Sequence, residues 1–298
     1  MITLNRREPG AGENIAADAS DVRNFTRRVA SALVLVPFAI ATAYFGGWLF
    51  LVTCAIAAGV ILWEWTSLVA RGADPRVLVP GLTALLAATA LAGEGEAGAA
   101  IGMIAGGALL AGGVVAAWPR RYPAVNRAGW GTAGVVYAGV ALLAPAVLRS
   151  DPLLGFTALL FLFATVWATD VFAYLVGRAI GGPLLWTRVS PKKTWAGAIG
   201  GLAGGVAVGT LVAYASVGTR PVVLGVLALA LSISAQGGDL FESAVKRRFG
   251  AKDASSLIPG HGGVMDRLDG FLIAALAAVV IGIVRQGMAA PAQGLLVW

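Results

Sequence analysis

The chain has 298 residues, 58% of them hydrophobic and only 12% charged, with a formal net charge of +7. Soluble globular domains carry about 25% charged residues, so this composition excludes a water-facing surface and leaves a protein integral to a membrane. Its single cysteine, Cys54, excludes an intramolecular disulfide and a cysteine metal site. No aromatic residues interleave with basic ones in the RNA-binding manner, which sets nucleic acid aside as a partner.

In chain order, residues 1–28 are polar and rich in Gly, Ala and Arg. They read as a cytoplasmic tail: the stretch is too long and too acidic to begin a signal peptide, and no small-residue cleavage site stands out. Nine apolar segments follow, at 29–45, 48–69, 77–91, 97–118, 132–148, 152–176, 196–217, 221–238 and 268–284, the first and third of them short. Such segments run apolar for about 20 residues, as spanning helices require, whereas barrel strands alternate polar and apolar positions. The 41 glycines allow close helix approach. The expectation is an all-α polytopic membrane protein of about nine transmembrane helices. Its N-terminal transmembrane helices are expected at 29–150, and a C-terminal transmembrane region, expected to carry the functional site, at 151–298.

Nine spans put the tail and the loops 70–76, 119–131, 177–195 and 239–267 on one side, with 19 of the 22 Lys and Arg residues. The other side holds Arg149, Arg220 and Arg285. Positive loops stay in the cytoplasm, so the N-terminus is expected there, with the C-terminus outside. No internal repeat of the transporter kind is visible.

Ionisable groups within spans are costly and mark functional candidates. Glu64 sits between Trp63 and Trp65, residues that favour the membrane interface, and reads as an acid snorkelling to the headgroups. Asp170 lies near the cytoplasmic end of the sixth span, where helical spacing puts Asp170, Tyr174 and Arg178 on one face. It lines a site, or pairs with an arginine as packing glue. Ser190, Pro191, Lys192, Lys193 and Thr194 open the seventh span. Ser followed by Pro signals a helix start, and the free N–H groups there attract anions. The lysines and hydroxyls make this a phosphate site or ordinary charge beside lipid headgroups. Asp239, Glu242, Ser243 and Lys246 then share a helical face, which is a site or a solvated helix end.

The run 243–269 is the richest, with five basic residues, three acidic ones and the only histidine. Gly260, Gly262 and Gly263 around His261 let backbone approach a ligand closely. Asp266 and Asp269 share a face if helical, with Arg267 beside them. Carboxylates with substrate phosphates are the usual holders of Mg²⁺, and Asp239 is a further ligand candidate. A lone His261 makes no His-rich zinc site. The plainer alternatives are a hydrogen-bonded loop histidine and an arginine-paired acidic cluster.

These residues resemble the signature of the CDP-diacylglycerol synthases, or phosphatidate cytidylyltransferases. Ser243, Lys246, Arg247, Lys252, Asp253, Pro259, His261, Gly262, Gly263, Asp266, Arg267 and Asp269 fit it. Residues 190–195, and Asp170 with Ala173, Tyr174, Gly177 and Arg178, resemble further motifs of that family. The likeness covers the C-terminal half, while the N-terminal half matches in hydropathy alone. One departure is Ala196, where the family often has Glu after Lys-Thr-Trp.

The resemblance implies transfer of the cytidylyl group of CTP to phosphatidate in the inner leaflet, giving CDP-diacylglycerol and pyrophosphate for phospholipid biosynthesis. It implies a bacterial cytoplasmic membrane, an active site facing the cytoplasm, Mg²⁺ with room for a second cation, and no protein nucleophile. Asp239 and Asp266 are then expected to hold metal, with Asp269 beside them. Lys246, Arg247 and Arg267 are expected to bind phosphates, and Asp170 to line the site or steady a cation. Ser190, Lys192, Lys193 and Thr194 are expected on the nucleotide or lipid phosphate. Ser243, Lys252, His261, Gly262 and Gly263 are expected around the substrates, with His261 positioning rather than acting as a base. Glycine-rich spans leave room for a homodimer.

Three rivals weigh against this reading. An ion-coupled transporter holds buried charges near the bilayer midplane, whereas these sit at cytoplasmic ends beside a long basic loop. A polyprenol kinase does not share the 243–269 pattern. A CDP-alcohol phosphotransferase needs further spaced aspartates after Asp269-Gly270, and Phe271, Leu272, Ile273 and Ala274 follow instead.

Overall fold

The computed structural model describes residues 33–118, 127–218, 220–258 and 262–298, so the tail at 1–28 and His261 lie outside the described residues. Each predicted span coincides with one helix. These are α1 (Leu33–Phe45), α2 (Gly47–Ala70), α3 (Pro75–Gly93), α4 (Ala97–Ala117), α5 (Arg127–Arg149), α6 (Gly155–Ile180), α7 (Trp195–Val217), α8 (Pro221–Arg248) and α9 (Met265–Gln286). Among the described residues, eight are long and apolar enough to cross a membrane, and α1 is a shorter apolar helix.

Local chemistry sets several of the breaks. Gly46, at φ 63, turns the chain between α1 and α2 in a conformation that a side chain would strain. Asp74 caps α3, its carboxylate accepting from the Arg76 amide at 3.0 Å, with Pro75 at the first helical position.

Four helices outrun the apolar segments that announced them by three residues or more. α8 continues past 238 to Arg248, α6 past 176 to Ile180, α5 begins at Arg127 rather than 132, and α9 begins at Met265 rather than 268. Hydropathy marks what lipid covers, while backbone hydrogen bonding continues wherever side chains find partners. In the extra turns of α8, Glu242, Val245 and Lys246 are buried.

The region before α7 corrects the expected helix start at Ser190. β1 (Leu184–Trp186) pairs antiparallel with β2 (Ser190–Thr194). Thr194 is the cap of α7, its hydroxyl accepting from the Gly197 amide at 3.1 Å. A short helix, α10 (Pro291–Leu296), was not anticipated. It packs on α9 at Gly282, where an added Cβ would overlap the Pro291 carbonyl.

The α6–α7 contact rests on small residues at four-residue spacing. Gly197, Gly201, Gly205 and Gly209 of α7 face Gly177, Ala173, Thr169 and Thr165 of α6 in antiparallel order. A Cβ on Gly201 would lie 2.8 Å from the Thr169 carbonyl oxygen. The threonine hydroxyls in this seam are satisfied: Thr165 donates to Phe161 O at 2.8 Å, and Thr169 meets both Thr165 O and Ser232 Oγ at 2.7 Å.

Alternating helix directions sort the connections to two ends. At one end Arg149 donates to the carbonyls of Ala43 and Tyr44, and Arg285 to those of Gly294 and Val297. Two of the three arginines expected on that side are thus taken up by backbone carbonyls. The other, basic end gathers the end of α6, the hairpin, the end of α8 and the start of α9.

Candidate active site

At the basic end, α6, the hairpin, α7, α8 and α9 enclose a cavity of about 760 Å³. Asp170 of α6, Asp239 of α8 and Asp269 of α9 face it, as do Asp253 and Asp266. The cations along it are Arg178, Lys192, Lys193, Lys246 and Arg267. So much charge in one hollow of a chain this apolar calls for chemistry or binding. A second cavity, about 580 Å³, opens between α3 and α4, but Arg76 is its one charged lining residue.

The α8 face predicted from spacing forms. Asp239 is ion-paired with Lys193 of the hairpin, and Ser243 Oγ donates to its other oxygen at 3.4 Å. One helical turn further, Lys246 Nζ lies 2.5 Å from Glu242 Oε2 and 2.6 Å from Asp266 Oδ1. The contact with buried Glu242 is one of charge and not an aligned hydrogen bond.

Asp266 has both oxygens engaged. Oδ1 accepts from Lys246, and Oδ2 accepts from the amides of Gly263 at 2.7 Å and Ala254 at 2.9 Å. The loop glycines make room for carboxylates of the protein itself. Gly262 has φ 87, and a Cβ there would lie 2.7 Å from Asp266 Oδ2; a Cβ on Gly263 would overlap the carboxylate of Glu64. Glu64 is therefore not the headgroup-facing acid that its flanking tryptophans announced. It is wholly buried and holds the start of α9.

Of the other expected residues, Lys192, Lys193, Thr194, Lys246, Arg267, Asp269 and Asp170 meet in the cavity. Asp269 Oδ1 accepts from the Gly270 amide at 2.7 Å. Arg178 does share a face with Asp170 and Tyr174, and it donates to the tyrosine hydroxyl at 2.9 Å. Ser190, Ser243, Arg247, Lys252, Gly262 and Gly263 do not line the cavity. Arg247 instead donates to the carbonyls of Val189 at 3.4 Å and Ala251 at 3.1 Å, tying hairpin to loop.

Sequence reasoning passed over Gln236, which lines the cavity and donates to Ala198 O at 3.2 Å. Its signal was available: a lone amide in an apolar run, three residues before Asp239. Asp253 also lines the cavity, whereas the hairpin and the first turn of α7, with Ala196, bring no carboxylate. Among the described residues, no three His, Cys, Asp or Glu side chains converge tightly enough to hold a metal by themselves.

Comparison with known proteins adds to this geometry. The model of the cytidylyltransferase family matches residues 26–284. A phosphatidate cytidylyltransferase of Brucella abortus (strain 2308) is 42% identical over 267 residues, covering 87% of this chain and 93% of the relative. Those of Rickettsia bellii and Bacillus subtilis are 37% and 35% identical over 135 and 152 residues, or 43% and 49% of this chain and 58% and 55% of theirs.

Proposed function

The chain belongs to the phosphatidate cytidylyltransferase family, and from that premise we propose that the charged cavity at its basic end, facing the cytoplasm, is where the transfer takes place. The cytidylyl group of CTP passes to phosphatidate, giving CDP-diacylglycerol and pyrophosphate. A phosphatidate oxygen bonds to the α-phosphorus of CTP, and the bond from that phosphorus to the bridging oxygen breaks. The electron pair leaves with pyrophosphate. The nucleophile is already anionic, so no protein base is required of the site. The obstacle is the approach of two polyanions, and the remedy is fixed positive charge.

Lys192 and Lys193, carried on the hairpin, and Arg267, at the start of α9, bring that charge to the cavity. Lys193 is aimed by its pair with Asp239, and Thr194 fixes where the hairpin enters α7. The carboxylates suit Mg²⁺, which is usually held by one or two of them together with substrate phosphates. Asp239 and Asp269 fit that donor set, with Asp170 in the same cavity. Held there by Asp239 and Asp269, Mg²⁺ would supply positive charge to offset repulsion between the substrates and to steady the leaving pyrophosphate. Asp266, engaged by Lys246 and two amides, shapes the loop that presents Arg267 and Asp269.

The observation that supports this most is the meeting of hairpin lysines with α8 and α9 aspartates in one cavity. The test is purified protein with phosphatidate, labelled CTP and Mg²⁺. CDP-diacylglycerol is expected to form, to stop with chelator and to return with added Mg²⁺. Asp269→Asn should lower turnover at least about 10²-fold, the scale of losing an electrostatic group at the reacting centre. Parent rates in both Asp239→Asn and Asp269→Asn would overturn the site assignment.

A further inference from the structure

The start of α9 lacks a cap of its own. Val264 stands at the cap position and offers no side-chain acceptor, yet the next residues include Asp266, Arg267 and Asp269. The missing acceptor comes from the other half of the chain. Glu64, on α2, reaches the loop with both carboxylate oxygens. Oε1 accepts from Ser255 Oγ at 2.6 Å and from the Val264 amide at 2.9 Å, and Oε2 accepts from the Met265 amide at 2.7 Å. Glu64 is 0% exposed. A carboxylate at a helix N-terminus satisfies orphan N–H groups and meets the positive end of the dipole.

The neighbourhood reserves this place for that carboxylate. A Cβ on Gly263 would overlap both Glu64 oxygens. The adjoining Trp65 Nε1 donates to Trp130 O at 3.0 Å, and Trp130 stacks edge-on with Phe249 at 4.9 Å. Arg248 lies over the same indole at 5.5 Å. α2 is thereby braced, through Trp130 of α5, toward the end of α8 on one side while it grips the start of α9 on the other. Between them, Glu64 and Asp266 hold the four consecutive or looped amides of Ala254, Gly263, Val264 and Met265.

We propose that Glu64 is a positioning residue of the cytidylyl transfer, acting through the α8–α9 loop and the first turn of α9 to set Arg267 and Asp269 against Asp239. This rests on the reading of the cavity as the active site. Misplacement of catalytic groups by about 1 Å costs on the order of 10²-fold in rate. Glu64 touches no cavity surface, so its effect falls on turnover more than on substrate affinity.

The test compares Glu64→Gln, Glu64→Ala, Gly263→Ala and the double variant Glu64→Ala/Gly263→Ala in detergent, with kcat and KM for CTP taken per folded protein. Glu64→Gln keeps the shape but replaces one acceptor oxygen by a donor. It is expected to lower kcat roughly tenfold, and Glu64→Ala about 10²-fold, with KM for CTP within about threefold of the parent. Amide exchange in the peptide 255–268 should accelerate in both. Gly263→Ala should slow the parent but add little to Glu64→Ala, because the clash has gone. Parent kcat and parent exchange in Glu64→Gln overturn the proposal, as does full additivity of the two alanine changes. A Glu64→Gln variant that is less stable but keeps parent kcat assigns Glu64 to folding alone and likewise overturns it. If the parent itself makes no CDP-diacylglycerol, the family reading fails instead, and the exchange result still decides whether Glu64 holds the loop.

Discussion

Lys246 offers the sharpest quantitative test of how this site is built. Its ammonium serves Glu242 and Asp266 at once, and those side chains are 1% and 4% exposed against 11% for Lys246. Lys246→Met keeps the chain's bulk and takes the shared cation from two buried carboxylates, of which Asp266 keeps its two amide donors. Removing one partner of a buried pair costs about 3–5 kcal/mol. The two pairs share one cation, so the loss is not doubled, and the partial exposure of Lys246 argues for the lower end, about 3 kcal/mol. Adding Glu242→Gln removes one stranded charge and should return roughly half of that loss by the same reasoning. The measurement is the free energy of denaturant-induced unfolding of the purified protein in detergent, with turnover followed in parallel. Turnover should stay at least about tenfold below the parent in the double variant, since Lys246 also lines the cavity and cation contacts act on developing charge. A Lys246→Met protein within about 0.5 kcal/mol of the parent, the range of ordinary surface changes, would refute the buried bridge.

The α6–α7 seam predicts a contrast between glycines. Gly201→Ala places a methyl 2.8 Å from Thr169 O and 3.0 Å from Ala173 Cβ, an overpacking that costs about 1–3 kcal/mol in unfolding measurements. Gly98→Ala in α4 meets nothing within 4 Å and should be neutral or slightly stabilising in the same assay. Thr194→Val removes the cap on Gly197 N, with a cost of about 0.5–2 kcal/mol. It should also raise KM for CTP, because Lys192 and Lys193 hang from the segment it anchors. Lys193→Met removes the partner of Asp239 and is expected to lower kcat/KM for CTP at least about tenfold, read in steady-state kinetics.

The fold was legible in the sequence wherever one local property decided the outcome. Continuous apolar runs announced the nine helices, and abundant glycine announced close helix approach, though not that α7 would make it against α6 through Gly197, Gly201, Gly205 and Gly209. The hairpin was illegible because Ser190 and Pro191 carry the same letters as a helix start, and only pairing with Leu184 and Trp186 makes them strand. Glu64 was misread for a similar reason. Trp-Glu-Trp looks alike whether the acid faces headgroups or a helix end 201 positions later, and no local pattern contains Met265. At Asp266 the residue type was found, but which atoms its oxygens serve depends on Lys246, Ala254 and Gly263 together.

One failure of the hydropathy reading points to the site itself. Four helices extend three or more residues beyond their apolar runs at the basic end, α5, α6, α8 and α9, and three of them carry Asp170, Asp239 and Asp269 to the cavity. The coincidence has a physical cause. A helix whose outer turns met only lipid or water would gain nothing from ordering them against their conformational entropy. The extra turns of α8 and α9 are held because Lys246 pairs with Glu242 along its own helix and with Asp266 across to α9. A charged, helical overhang next to a spanning segment is thus a sign of neighbouring overhangs that complete it. In this chain, pairing the overhang after 238 with the one before 268 brings together the two segments that share the Lys246–Asp266 bridge.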